Sequence, residues 1–502
     1  MKVSGLGHFP LGTPVPNREH AVCVSLPTLN DLIGYEEKNA ETLSKLPSGY
    51  PRFVRHRKIS ELADYWDHEE QNTKTKTFFF SEIKDWIFAQ ELLGIPQASV
   101  EQKEDYVVVR LSKKTKAAED LQKFLQHAGC GISSRHAEQE LLKLGVIANS
   151  ENLSANENAE TEIKNIISKA HGPNVKPEDL LLAASGANAF TSAFRGALEI
   201  ARSKKQKIWI RLGWLYLDTI EIMNLLVNKE ECVISLNHPS EFGRLKKIFQ
   251  ENSNEIAGLV TEFPSNPLLH SCDLEEVKGL CDLYDSTLIV DPTMASPKNA
   301  KVSNYADVVI NSLTKYANWE GDVMMGSAVF PSHSRRGMAI KKLTEDYLTK
   351  PYQKDLERLS EQITFYDNFI EQTNRSQIEI VEYLRYHKKI KNLYWAYQQE
   401  TGGNYRKIAG DKNPGCVLSF EVNGGFPEFY NSLKMLKSPS FGTEFTLCCP
   451  YVYLAHYNLV ASNSGKKELS LAGLSPELCR LSVGMEPVDE IKQTLDEALQ
   501  KC

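Results

Sequence analysis

From about residue 180 to residue 330 the chain alternates short apolar runs with longer amphipathic ones. "KIWIRLGW", "ECVISLN", "IAGLVTEFP", "STLIVDPT", "ADVVINS" and "GSAVF" each hold a few apolar, often β-branched positions bounded by turn or polar residues. Runs of that length and make-up read as buried strands. Between them, "SEFGRLKKIFQEN" and "DLEEVKGLCDLYD" space apolar residues at i, i+3 and i+4, as one face of a helix does. The alternation predicts an α/β domain with a mostly parallel sheet. In such sheets ligands bind beyond the carboxyl ends of the strands.

The pattern changes on both sides of this block. From residue 366 a polar helical stretch leads into the strand candidates "PGCVLSFEV", "EFTLCCPYVYL" and "ELCRLSVGM" and a closing helix, which predicts a smaller C-terminal α+β domain over 366–502. Upstream, the strand "EDYVVVRLS" and the helices "KAAEDLQKFLQHAG" and "SRHAEQELLKLG" predict an inserted α+β segment over 59–155. It closes on the polar stretch "NSENLSANENAE", a linker or surface loop by composition. The α/β block then spans 156–365, and residues 1–58 form an N-terminal arm.

Composition changes this picture little. A chain of 502 residues is too long for one compact core. With 41% apolar and 25% charged residues and a net charge of -7, it has no basic footprint for nucleic acid. No segment approaches the roughly 20 apolar residues of a membrane span, and "MKVSGLGHFPLGTPVPNREH" lacks a continuous apolar signal core. The expected setting is the cytoplasm, without membrane or nucleic-acid partners. The ten cysteines lack metal-ligand spacing, so no metal site is expected and most should be reduced and buried.

The candidate chemistry lies at strand ends. In "LLAASGANAFTSAFRGALEIA" an apolar run meets Ser185 and Gly186, and then Phe190, Phe194, Ala197, Leu198 and Ala201 share one helical face. A small-residue turn at a helix N-terminus offers backbone N–H groups to a phosphate, although a plain N-cap reads the same way. Asp291 closes the run "TLIV", and Lys315 in "INSLTKYANWEGD" follows the run "DVVI". Singly these are a turn cap and a loop lysine. Jointly they suggest pyridoxal 5'-phosphate, which needs a lysine for its aldehyde, a carboxylate at the pyridine nitrogen, and hydroxyls with helix-end N–H groups at the phosphate. Ser312 and Thr314 supply hydroxyls beside Lys315, and Tyr216 in "GWLYLDTIE" supplies an aromatic face.

The ordered motifs "SG", "YLDT", "EFPSNPLL", "DPTMASP", "SLTKY" and "CRLSVGME" resemble the Cys/Met-metabolism branch of the fold-type I pyridoxal-phosphate enzymes. "VSLPTLNDLIGYEE", "SGYPRFVRH" and the inserted segment are similar to its long, fungal-type cystathionine γ-synthases. The resemblance implies the aspartate aminotransferase-like fold and a set of roles. Lys315 would be the covalent anchor and proton shuttle, Asp291 the partner of the pyridine nitrogen, and Asn266 the partner of the ring hydroxyl. Tyr216 would stack on the ring and assist proton transfer, with Leu217 and Asp218 standing where the family has two glycines. Gly186 and Ala187 would bind phosphate through their backbone N–H groups. Tyr50 and Arg52 would reach the phosphate of the neighbouring subunit, making the protein a homodimer or homotetramer with shared sites. Arg480 would clamp the substrate α-carboxylate, Ser440 would line the substrate side, and Phe445 would stand where the family has a selective glutamate. The implied reaction is γ-replacement on an O-acyl-L-homoserine by cysteine or a related thiol. A γ- or β-lyase, or a regulatory homologue without catalysis, are the alternatives.

Overall fold

The computed structural model describes residues 3–46, 50, 54–69 and 74–502. The N-terminal arm pairs the two-residue strands β1 (Pro14–Val15) and β2 (Cys23–Val24). The helix Leu29–Glu36 follows, opened by a capping box between Thr28 and Asp31. The arm lies along its own chain. Leu6 bridges Met435, Val22 N–H donates to Gly321 O at 2.8 Å, and Leu26 N–H to Lys437 O at 2.8 Å.

The inserted segment is a three-stranded antiparallel sheet of β3 (Thr75–Phe80), β4 (Ser99–Gln102) and β5 (Val107–Ser112), ordered β3-β5-β4. Its two faces follow the period of two along each strand. Phe79 and Val108 face the helices Arg57–Glu69 and Ser134–Lys143. Phe78, Phe80, Val107 and Val109 face the other way, into a core shared with the helices Lys116–Ala128 and Gly186–Ser203. The segment is therefore built onto the next domain through one continuous core. "NSENLSANENAE" is irregular up to Asn158, where the helix Ala159–His171 begins, yet it is tied down: Glu151 pairs with Arg135 at 2.6 Å, and Asn156 donates to Ser360 at 3.2 Å.

The α/β domain carries β6 (Leu180–Ala183), β7 (Ile208–Leu212), β8 (Cys232–Leu236), β9 (Ile256–Glu262), β10 (Thr287–Asp291), β11 (Val308–Ser312) and β12 (Gly326–Val329). Their order is β6-β12-β11-β10-β9-β7-β8, and only β12 runs antiparallel to its neighbours. Every residue of β9 is buried, as a strand covered on both faces requires. The C-terminal domain holds β13 (Ile390–Tyr394), β14 (Val417–Val422), β15 (Leu436–Lys437), β16 (Leu447–Pro450) and β17 (Cys479–Ser482), ordered β13-β14-β17-β16-β15. Here one sequence expectation shifts: "EFTLCCPYVYL" is a strand only to Pro450, and Tyr451–Ala455 is helical. Among the described residues no helix is long and apolar enough to cross a membrane.

Candidate active site

The carboxyl ends of β9, β10 and β11 open into one cavity, and the residues that end them are chemically pointed. Asp291 ends β10 and is the register partner of Glu262, which ends β9. Lys315 follows β11 in a turn closed by Asn318 N–H donating to Leu313 O at 3.0 Å. Lys315 is 8% exposed, and its Nζ donates to Tyr50 Oη at 2.9 Å and to Ser440 Oγ at 3.1 Å. The same Nζ lies 4.6 Å from the Tyr50 ring centroid and 5.0 Å from that of Phe441.

Ser440 links this lysine to an arginine. Its carbonyl accepts from an Arg480 terminal nitrogen at 3.0 Å, while the other terminal nitrogen donates to Asn266 Oδ1 at 2.9 Å. The guanidinium lies between the rings of Tyr451 at 4.8 Å and Phe441 at 5.0 Å. Among the described residues, Arg480 Nε is buried without a hydrogen-bond partner. Ser440 itself has φ 91°, a left-handed backbone that a serine adopts at a cost of order 1–3 kcal/mol. The bends around it hold that conformation so that its hydroxyl meets Lys315 and its carbonyl meets Arg480.

Glu262 accepts from the backbone N–H of Tyr216 and, at 3.0 Å, from that of Asn266. It thereby fixes both neighbours of the cavity. Burial and then the Asp291 charge hold its carboxyl well above the usual carboxylate range. Burial also pushes Asp291 up to about 6, against the opposing bond from Thr293 N–H at 2.8 Å. Tyr216 N-caps the helix Leu217–Leu226, and Asp218 in its first turn meets His127 of the inserted segment at 2.8 Å.

The turn at 185–187 opens a helix. Ser185 caps the helix Gly186–Ser203 through Asn188 N–H at 3.0 Å, and Gly186, Ala187, Ser312 and Thr314 line the same cavity. Thr314 also braces the turn. Its hydroxyl donates to Met325 O at 3.2 Å and accepts from Met325 N–H at 3.1 Å, so its proton holds the turn together.

Placement bears on two expectations. Phe445 does not line the cavity; it is fully buried with Val15, Cys23, Leu436 and Leu447, because the arm covers that side of the sheet. Tyr50, expected at a neighbouring subunit's site, here lines the cavity of its own chain, 2.9 Å from Lys315 Nζ. Arg52 lies outside the described residues. Asp291, Ser312, Gly186, Ala187, Tyr216, Asn266, Ser440, Lys315 and Arg480 are all brought together.

The family model for Cys/Met metabolism PLP-dependent enzymes matches residues 175–500. The chain belongs to this family. A relative 28% identical, with 97% of each chain aligned, is the L-2-amino-4-chloropent-4-enoate dechlorinase/desaturase of Streptantibioticus cattleyicolor. The cystathionine gamma-synthase of Neurospora crassa is 26% identical with 98% of each covered. Among solved structures, cystathionine gamma-lyase from Lactobacillus plantarum shares the fold at TM-score 0.58 and 18% identity, covering 70% of this chain and 91% of that one. Cystathionine gamma synthase from Xanthomonas oryzae pv. oryzae does so at 0.56 and 20%, with the same coverage. The chain is thus a fold-type I, pyridoxal-phosphate-dependent enzyme.

The residues present fit that cofactor. A Cβ on Gly186 would stand 2.8 Å from Ser312 Cβ, so the helix end approaches β11 more closely than any side chain allows. A helix N-terminus brought this close to the cavity offers its free backbone N–H groups to an anion. A carboxyl such as Asp291, with a raised affinity for its proton, is matched by a protonated pyridine nitrogen, which brings both a donor and a positive charge.

Glu262 was missed in the sequence, although it ends a buried strand as Asp291 does and the same argument finds it. Tyr35, Glu36, Phe441 and Tyr451 also line the cavity. No local pattern marks the first two, which depend on how the arm folds back.

Proposed function

We propose that the enzyme acts on an L-α-amino acid bearing a leaving group on its γ carbon and replaces that group with a thiol. The specific reading is cystathionine γ-synthase-like: O-acyl-L-homoserine and L-cysteine give L-cystathionine and the carboxylic acid. The observation that carries it is Arg480, whose buried, unpartnered Nε lies beside two nitrogens already tied to Asn266 and Ser440. A substrate α-carboxylate supplies the missing acceptor in the fork geometry that arginine recognises.

The bound pyridoxal phosphate supplies the electron sink that makes the α proton acidic. The chain's own groups do the rest. With the cofactor bound, helix-end N–H groups at Gly186 and Ala187, with Ser312 Oγ, would hold the phosphate; Asp291 would keep the ring nitrogen charged; Tyr216 would cover the ring face; Asn266 would reach the ring hydroxyl. Lys315 Nζ would take the substrate's α proton and, once it has passed that proton on, a β proton, the two transfers that departure of the γ substituent requires. Tyr50 Oη and Ser440 Oγ, both within hydrogen-bond reach of that nitrogen, orient it. Glu36 takes the selective role expected of Phe445: it lines the cavity, burial pushes its carboxyl up to about 7, and it can receive the ammonium of the incoming amino acid thiol. The assembly is proposed to be a homodimer or homotetramer working in the cytoplasm.

A second reading has an observation of its own. The dechlorinase/desaturase relative, aligned end to end, is named for an amino acid carrying chlorine on its γ carbon. Elimination without thiol addition uses the same groups up to departure of the leaving group. Product analysis with O-acetyl- and O-succinyl-L-homoserine, with and without cysteine, separates the two. Cystathionine formed only when cysteine is present supports the synthase reading. Keto acid and ammonia released at the same rate with or without cysteine would sink it in favour of elimination.

A further inference from the structure

Away from the cavity, but on the same carboxyl edge of the sheet, three side chains converge from three separate segments. His238 follows β8, His270 follows the loop after β9, and Glu400 stands in the turn before the helix Gly402–Ala409 of the C-terminal domain. His238 Nε2 lies 3.5 Å from one Glu400 oxygen and His270 Nε2 3.8 Å from the other. The two imidazole rings are 4.3 Å apart and inclined at 57°. One donor atom from each residue falls within 4.8 Å of the other two. We propose that His238, His270 and Glu400 form a divalent transition-metal site, with zinc as the favoured ion and water completing the coordination.

Charge argues for a metal over a plain ion-pair cluster. Among the described residues, no lysine or arginine pairs with Glu400; its ion-pair partners are the two histidines. A single divalent ion neutralises the carboxylate and uses the imidazole lone pairs. Donors about 2.0–2.2 Å from a tetrahedral zinc ion are about 3.3–3.5 Å from one another, close to the nitrogen–oxygen separations already present. Imidazole nitrogen favours zinc and its transition-metal neighbours over magnesium or calcium.

The site is also held in advance of any ion. Gln398 donates to Leu268 O at 2.9 Å, Ser271 N–H to Thr401 Oγ1 at 3.2 Å, and Asn404 to Ser271 O at 3.0 Å. These bonds fasten the turn carrying Glu400 to the loop carrying His270. His238 Nδ1 lies 2.6 Å from Ser240 Oγ and accepts from Ser240 N–H at 3.1 Å, contacts that orient the ring with Nε2 toward the carboxylate. His270 edges onto Tyr394 at 6.4 Å and is nearly buried, so its ring is fixed on the protein side. The motion needed to close on an ion falls mainly on Glu400, the most exposed of the three at 59%. A bound ion would tie the loops after β8 and β9 to the C-terminal domain.

The test is cobalt titration of the holoenzyme, following the visible absorption of four-coordinate Co2+, with zinc competition and thermal unfolding in parallel. His238→Gln and Glu400→Gln are partly exposed, lie outside the cofactor cavity, and should fold normally. The expected result is one cobalt per chain with nitrogen- and oxygen-type bands, displaced by zinc, and a zinc-dependent rise in melting temperature. Losing an outer-sphere partner alone weakens metal sites about 10–100-fold, so either variant should lose at least tenfold in affinity and the thermal rise with it. Equal uptake by the native chain and both variants would overturn the proposal. So would thiolate-type bands, which assign the ion to cysteine, or no uptake at all.

Discussion

Replacing Gly186 with alanine tests the phosphate turn through a single methyl group. The new carbon would stand 2.8 Å from Ser312 Cβ and 3.1 Å from its Cα and Oγ, whereas carbon atoms pack comfortably at about 3.5–4.0 Å. Ser312 has no rotamer that relieves this, because the nearest atoms are its own Cα and Cβ, and its backbone is registered against Gly326 of β12. The first turn of the helix must therefore retreat by on the order of 1 Å, out of hydrogen-bond range for at least one phosphate oxygen. A hydrogen bond to a charged group contributes about 1.5–3 kcal/mol, which corresponds to about 10- to 150-fold weaker cofactor binding. Absorbance titration of the apoprotein with pyridoxal phosphate reads this directly. Gly403→Ala is the control: that glycine lies in the helix Gly402–Ala409 with no atom within 4 Å of its would-be Cβ. It should bind normally and gain up to about 1 kcal/mol of stability. A folded Gly186→Ala protein with native affinity would refute the assignment of this turn to phosphate.

Three further outcomes follow from the geometry. Arg135 of the inserted segment is buried among Glu151 at 2.6 Å, Asp355 at 3.1 Å and Asp322 at 3.8 Å; Arg135→Met leaves those carboxylates without it and should cost about 3–5 kcal/mol in urea unfolding, while a loss below about 1 kcal/mol would contradict this pairing. Asp85, bonded to Thr349 at 2.9 Å, is pushed by burial from 3.8 up to about 7. The stability it contributes is complete below about 3.8 and lost as pH rises toward about 7, so Asp85→Asn should exceed the native protein at pH 8 by up to about 4 kcal/mol and nearly match it near pH 4; unfolding curves that stay parallel across this range would sink the claim. Finally, because Tyr50 meets Lys315 of its own chain, hybrids of Lys315→Ala and Tyr50→Ala subunits should show no activity beyond that of the separate variants. Recovery in the mixture would place Tyr50 in a partner's site.

Much of this site was legible because its chemistry sits where strand patterns end. Asp291 and Lys315 stand out as charges closing apolar runs, and the small residues at 185–187 mark the helix end between them. Glu262 was equally legible, since it closes "IAGLVT", and its register with Asp291 explains why, after burial, the Asp291 charge raises its proton affinity. What the pattern could not give depends on long-range folding. Phe445 is buried against Val15 and Cys23, more than 400 positions earlier, and Glu36 and Tyr50 reach the cavity only because the arm folds back. "TKTFFF" was passed over as a strand because its aromatic run hides the alternation that the two faces of the inserted sheet later impose. His238, His270 and Glu400 share no motif spacing at all, so only the folded chain brings them together.

The central claim is that Lys315 is the cofactor's covalent anchor, and borohydride reduction of the holoenzyme followed by peptide mass mapping tests it most directly. The account predicts one phosphopyridoxyl group per chain, on the peptide containing Lys315. Label on another lysine, or none on protein that carries the cofactor's absorbance, would contradict it.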